Sequence, residues 1–232
     1  MRKVLIVLAL LILLAGIGVF VYPHVQQFLY TRHARAVIAD FEERLEGYRA
    51  ESEDGTLRWL NDMMAEYNEH LYKTGQAGLV DAFSLTQVSF SLQEFGFEED
   101  MIGYIYIPRM NIELPIYLGA SEENMYRGAA HLTQTSLPVG GENHNAVIAA
   151  HRGFRNAAMF RDIELLELGD DIFITNFYQT LRYQVVETRI IIPTQVNTVL
   201  IQSGRDLVTL VTCHPYRHNF QRFVVFAERV ED

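Results

Sequence analysis

One cysteine occurs in 232 residues, and its surroundings are where chemistry is to be expected. Cys213 closes the β-branched run Leu207-Val208-Thr209-Leu210-Val211-Thr212 and is followed by His214-Pro215-Tyr216, and Arg222 then opens the apolar run Phe223-Val224-Val225-Phe226. A strand ending in a thiol, a turn through Pro215 and Asn219, and a second strand starting at an arginine place thiol and guanidinium near one sheet rim. A third run, Asn145-Ala146-Val147-Ile148-Ala149-Ala150, ends on His151-Arg152-Gly153. A thiol attacks as its thiolate, which at an ordinary pKa of about 8.5 is only a few per cent of the population near neutrality, so it needs help. His151 could accept the proton and Arg222 could supply a fixed positive charge. On residue types alone the alternatives stay open: a lone cysteine also serves as a small buried hydrophobe, a strand-end histidine is often structural, and an edge arginine discourages aggregation.

Those residues must be positioned by elements that the rest of the chain can build. A formal charge of −10 argues against a nucleic-acid surface, which requires excess Lys and Arg. Residues 4–22, VLIVLALLILLAGIGVFVY, carry no charge, and as a helix they would span about 28 Å, enough to cross a bilayer. The run is longer than a signal-peptide core and has no small-x-small site close behind it, Ala34-Arg35-Ala36 lying too far downstream, so an uncleaved anchor is expected. Arg2 and Lys3 precede the span, and Arg32 and Arg35 follow it. The N-terminal pair favours a cytoplasmic tip at residues 1–3 and an extracytoplasmic 23–232.

Beyond the span, Val37, Phe41, Leu45 and Tyr48 fall on one helical face, and the Glu51-Ser52-Glu53-Asp54-Gly55 stretch breaks it. Thr56 can cap a second helix with Leu57, Leu60, Met64, Tyr67 and Leu71 on one face and Gly75 as its stop. Residues 23–75 thus read as an antiparallel helical pair, a stalk, and 76–100 as a loop. From residue 101 to 232 short β-rich runs take over: 102–107, 112–118, 146–150, 172–176, 181–192, 208–213 and 222–230. Residues 157–168, with Met159-Phe160, Ile163 and Leu166 before Gly169, read as a helix among them. Many short strands imply a mainly β sandwich or barrel, and pattern alone does not choose between the two.

Together with Thr135-Ser136-Leu137-Pro138-Val139-Gly140-Gly141 ahead of the histidine run, the chain from about Gly103 to Val230 resembles the sortases. These are membrane-anchored cysteine transpeptidases of Gram-positive bacteria, and the likeness is greatest to the pilus-building class C. The resemblance implies a closed β-barrel of about eight strands behind the helical stalk and transmembrane helix. It implies that Cys213 forms a thioester with a substrate carbonyl, that His151 serves as general acid and then general base, and that Arg222 donates hydrogen bonds to the substrate backbone or the oxyanion. The implied substrate is an LPXTG-type sorting signal of a surface protein or pilin, cleaved between Thr and Gly. The acyl group passes to an amine, either a pilin lysine or a cell-wall precursor. Pilus-class sortases also carry an Asp-Pro-aromatic lid, matched here by Asp81-Ala82-Phe83 with alanine in place of proline, which removes a fixed φ. In that reading Asp81 pairs with Arg222 and Phe83 covers Cys213; the alternative is an ordinary solvated loop with Phe83 tucked into the core. The chain ends at Val230-Glu231-Asp232 without the second apolar span that many pilus-class members have.

No cofactor and no metal are expected. His131, His144, His214 and His218 lack a zinc-type spacing, and the clusters Glu98-Glu99-Asp100 and Glu122-Glu123 lack a calcium-loop pattern and read as solvated surface. A papain- or caspase-type protease is disfavoured by the order His, Cys, Arg and by the missing local signatures. A catalytically silent, membrane-anchored peptide-binding module is the alternative of another class.

Overall fold

The computed structural model describes residues 2–51, 56–84, 92, 100–155 and 157–231. Helix α1 (Arg2–Glu51) runs unbroken through Pro23, so the apolar run and the first stalk helix are one element. It is long and apolar enough to cross a membrane, and its large side chains from Val4 to Tyr22 are exposed. Helix α2 (Thr56–Thr74) follows. Further along, Ala34, Ile38, Phe41 and Leu45 of α1 and Leu60, Met64 and Leu71 of α2 are buried. The side chains of Tyr48 and Leu57, included in the helical-face reading, fall outside the described set, as do residues 52–55 and, in the loop before the barrel, Glu98 and Glu99. Both helices are tied to the barrel by long-range bonds: Gln27 Oε1 accepts from Ala158 N–H at 2.6 Å, and Asn68 exchanges two bonds with the Leu137 backbone at 2.9 and 2.7 Å.

Eight strands form a closed barrel: β1 (Met101–Ile107), β2 (Ile112–Leu118), β3 (Ala129–His131), β4 (His144–Ala149), β5 (Asp171–Asn176), β6 (Thr180–Ile191), β7 (Asp206–His214) and β8 (Gln221–Arg229). The order around the barrel is β1-β2-β3-β4-β7-β8-β6-β5, closed by the antiparallel β1–β5 pair. β2–β3 and β4–β7 are parallel. Strand β5 alternates half-buried and buried residues, the signature of one wet face, whereas every residue of β4 is buried. That double burial is why β4 reads as a continuous apolar run rather than an alternating one. Closure depends on Gly103: a Cβ there would sit 2.1 Å from the Thr175 carbonyl oxygen across the β1–β5 seam, at φ +150°. No other residue type fits that close an approach.

Two expectations need correction. Residues 157–168 are not an α-helix but a Phe154–Ala157 bridge, turns and a single 3-10 turn at Ile163–Leu165. Ala157, Ala158, Met159 and Phe160 are all buried in succession, which one helix face cannot achieve, and Met159 has φ +42°. The strand β3 and a short helix α3 (Glu122–Arg127) stand where no element was expected. Ser121 caps α3 by accepting from Asn124 N–H at 3.2 Å, and Glu122 and Glu123 occupy its first turn, where carboxylates favour the positive end of the helix.

The buried histidines are structural. His144 is 1 % exposed and bonded through its ring nitrogens to the Leu137 and Leu207 carbonyls at 2.8 and 3.1 Å. His131, also 1 % exposed, donates from Nε2 to the Ser136 carbonyl at 3.0 Å, and burial pushes its pKa down to about 4. The sign follows directly: the unfolded chain binds a proton near pH 6.5 that the folded one refuses until about 4, so this contribution is complete above 6.5 and is lost as pH falls towards 4. Urea titrations at pH 7 and pH 5 should therefore show the wild type losing about 2 kcal/mol more than His131→Gln. Equal losses would show that His131 titrates in the native state much as it does unfolded.

Candidate active site

Register brings the three chemistry-bearing residues together. Cys213 and Arg222 are direct cross-strand partners in the antiparallel β7–β8 pair, so their side chains project from one face. The β4–β7 pairing sets Ala149 opposite Val211, and Ala150 N–H to the Val211 carbonyl (3.2 Å) and Thr212 Oγ1 to the Ala150 carbonyl (2.7 Å) carry it one residue further. His151 follows two residues after the end of β4, so the same register extended would set it level with Cys213 at that rim, and the Phe83 ring links it to Arg222.

Arg222 is 5 % exposed and all of its nitrogens are engaged. Nε and Nη2 donate to the two carboxylate oxygens of Asp81 at 2.8 and 2.7 Å, a bidentate fork. Nη1 donates to the carbonyls of Asn219 and Gln221 at 2.8 and 2.9 Å and faces Cys213 Sγ at 3.9 Å. Asp81 lies just before the 3-10 turn Ala82–Ser84, and its Oδ2 also accepts from Phe83 N–H at 3.2 Å. That turn puts the Phe83 ring 4.8 Å from the Arg222 guanidinium and 6.0 Å from the His151 ring, between the two. Ala82, where the proline of the lid motif would stand, is buried among Met125, Val147 and Val224.

Burial dominates the electrostatics of the site. Burial raises the Cys213 thiol above its ordinary pKa; Arg222 and Arg152 oppose that, and Asp81 reinforces it. Burial also lowers the His151 imidazole. Both shifts favour a neutral thiol and neutral imidazole over the thiolate–imidazolium pair. His151 Nε2 is buried and has no hydrogen-bond partner among the described residues. No group of three His, Cys, Asp or Glu side chains among the described residues is placed to hold a metal ion. His214 meets Arg152, and His218 packs on Phe220.

Known proteins place this arrangement. The family model for the sortase domain matches residues 105–230. The chain belongs to the sortase family. It is therefore a cysteine transpeptidase in its general activity. It is similar in structure to sortase C1 of the group B streptococcal pilus island 1, with 33 % identity, a TM-score of 0.76, and coverage of 86 % of this chain and 93 % of that one. Streptococcus pneumoniae sortase C, whose structure bears on catalysis and pilin substrate specificity, gives 32 % identity and a TM-score of 0.74 over 85 % of this chain and 97 % of that one. Sortase A of Bacillus anthracis is 27 % identical over 185 residues, 80 % of this chain and 84 % of that protein.

This sortase site has surroundings that residue spacing did not announce. His151 is stacked against Phe154 (5.1 Å) and Tyr126 of α3 (5.9 Å), which orient the imidazole through its faces rather than through a hydrogen bond. Behind the thiol, Arg152 Nη1 lies 2.8 Å from His214 Nδ1 and 3.4 Å from the Cys213 carbonyl, and its Nη2 pairs with Glu164 at 2.5 Å. The cluster pins the Cys213 carbonyl and His214 to the loop after His151. A signal for α3 was present in Ser121-Glu122-Glu123-Asn124, an N-cap followed by acidic residues. None marked Glu164, which reaches the site only through the 3-10 turn.

Proposed function

We propose that this chain is a class C-like transpeptidase that cleaves an LPXTG-type sorting signal and joins the acyl group to a lysine of another pilin subunit. The observation that carries the reading is the Asp81–Arg222 fork with Phe83 set between Arg222 and His151, a cover over the thiol. Similarity to the two streptococcal sortases C supports the choice of class. In this reading residues 4–22 anchor the enzyme with its N-terminus inside, residues 23–75 and 76–100 act as stalk and lid-bearing loop, and 101–232 is the catalytic barrel.

The proposed steps use the residues at this rim. Once the Asp81–Phe83 cover swings away, solvent and substrate polar groups reach the site, and transfer of the Cys213 proton to His151 generates the thiolate. Sulfur adds to the Thr carbonyl carbon, and the oxyanion takes the Nε/Nη2 edge of Arg222 that Asp81 held. The C–N bond breaks as His151 protonates the departing glycine amine, leaving a thioester. An incoming lysine amine, deprotonated by His151, attacks that carbon and expels the thiolate, forming an isopeptide bond. Keeping water from the thioester is the service a cover performs.

The decisive experiment mixes the enzyme with a pilin carrying the sorting signal. Covalent multimers that vanish when the acceptor lysine is replaced support the proposal. Transfer instead to an amine analogue of the wall precursor would make this an anchoring enzyme. The cover has its own test. Phe83→Ala should speed alkylation of Cys213 by about tenfold at pH 7 and shift the rate profile to lower pH, because exposing the thiol reverses the burial that raises its pKa. Superimposable profiles would show that Phe83 does not guard the sulfur.

A further inference from the structure

The chain is acidic overall, yet one cleft of about 420 Å3 is lined by Arg152, Arg155, Arg161 and Arg217 and by no carboxylate. Its other wall is α1, through Pro23, His24 and Gln27, the first residues beyond the uncharged run that ends at Tyr22. Gln27 is locked to the facing loop by its bond to Ala158 N–H. From Tyr22 to Gln27 the helix rises about 7.5 Å, and the headgroup layer on each side of a bilayer core is about 5–8 Å thick. The cleft thus lies at headgroup depth if α1 crosses the membrane. Exposed Tyr216 lines it and exposed Tyr22 directly precedes its α1 wall, tyrosine being a residue type enriched at that boundary.

The arginines are unevenly neutralised. Arg161 pairs with Asp162 and Arg152 with Glu164. Arg155 lies over the Phe154 ring at 5.1 Å and Arg217 over the Tyr216 ring at 5.3 Å, and neither has a carboxylate partner among the described residues. Arg152 is 8 % exposed, and its Nε is buried without a hydrogen-bond partner among the described residues. Its charge is matched by Glu164, but this one N–H is not, and a buried donor without a partner beside a cleft is satisfied by an acceptor from outside the chain. We infer that this cleft is a binding site for the phosphodiester headgroup of an anionic membrane phospholipid. An acidic peptide could match the charge, but its place at the lipid boundary favours the headgroup. Guanidinium forks suit phosphate oxygens, and the volume accommodates a headgroup rather than a bare ion.

The inference rests on α1 spanning the bilayer and is independent of the acyl acceptor, so its failure and that of the proposed reaction are separable. The full chain in micelles containing equal phosphatidylglycerol and phosphatidylcholine is analysed by native mass spectrometry. Wild type should retain phosphatidylglycerol over phosphatidylcholine by about fivefold or more, and Arg155→Gln with Arg217→Gln should abolish that preference, whereas Arg109→Gln with Arg189→Gln should keep it. The thermal midpoint of each variant checks that folding is intact. No preference in the wild type, or equal loss in both pairs, overturns the assignment. Loss of bound lipid on adding low-millimolar inorganic phosphate would identify a free-anion site, and displacement by an acidic peptide a protein site; either overturns it too.

Discussion

Cys213→Ala is expected to leave no acyl-enzyme and no transferred product, a fall on the order of 10⁴-fold or more, to background. The chain has no second thiol to take over. Serine and threonine hydroxyls nearby are committed elsewhere: Thr212 Oγ1 donates to the Ala150 carbonyl and Thr209 Oγ1 to Asn145. Intact-mass analysis after mixing with an LPXTG peptide should show the acyl adduct on wild type alone. His151→Ala should fall nearly as far, because in the proposed reaction the same imidazole protonates one amine and deprotonates the next. A silent peptide-binding module makes the opposite forecast: the peptide binds both proteins, and neither acquires mass. Sustained product formation by Cys213→Ala would remove the thiol from the mechanism altogether.

How much of this was visible in the residues depends on which force set each feature. The rim of β7 and β8 was legible because a β-branched run, a turn and a second run fix a hairpin, and a hairpin fixes which residues face each other; Cys213 opposite Arg222 is the consequence. The parallel β4–β7 pairing that brings His151 alongside joins segments about 60 residues apart, and no local pattern encodes it. Strand β3 was missed because three residues, Ala129–His131, are too few for periodicity to register. The false helix at 157–168 failed through the opposite error: its apolar residues have near-helical spacing, but burial from all sides, not from one face, selects them. Choosing barrel over sandwich also lay beyond pattern, since closure is decided at the Gly103 seam with β5, where the informative property is an absent side chain.

Arg222→Lys should lower kcat/KM by about 100- to 1000-fold, the equivalent of about 2.7–4 kcal/mol in the barrier for losing a placed oxyanion donor. The geometry explains why a conserved charge is no substitute. One side of the guanidinium, Nη1, is spent on the Asn219 and Gln221 carbonyls, which fix the plane; the other edge, Nε and Nη2, presents two parallel donors to a pair of oxygens, now those of Asp81. A lysine ammonium cannot anchor on two carbonyls and still aim two donors at one centre. Because removing the fork also strands Asp81, whose side chain is only 18 % exposed, part of any loss could come from destabilisation. Repeating the substitution in an Asp81→Ala background separates the two. The catalytic loss should persist there, concentrated in kcat, while the loss of stability shrinks. Asp81→Ala alone should raise thiol alkylation, since it frees the cover without touching the donors. If Arg222→Lys turned over sorting-signal peptide within about threefold of wild type in both backgrounds, the guanidinium would be a strand-edge charge and no part of the reaction.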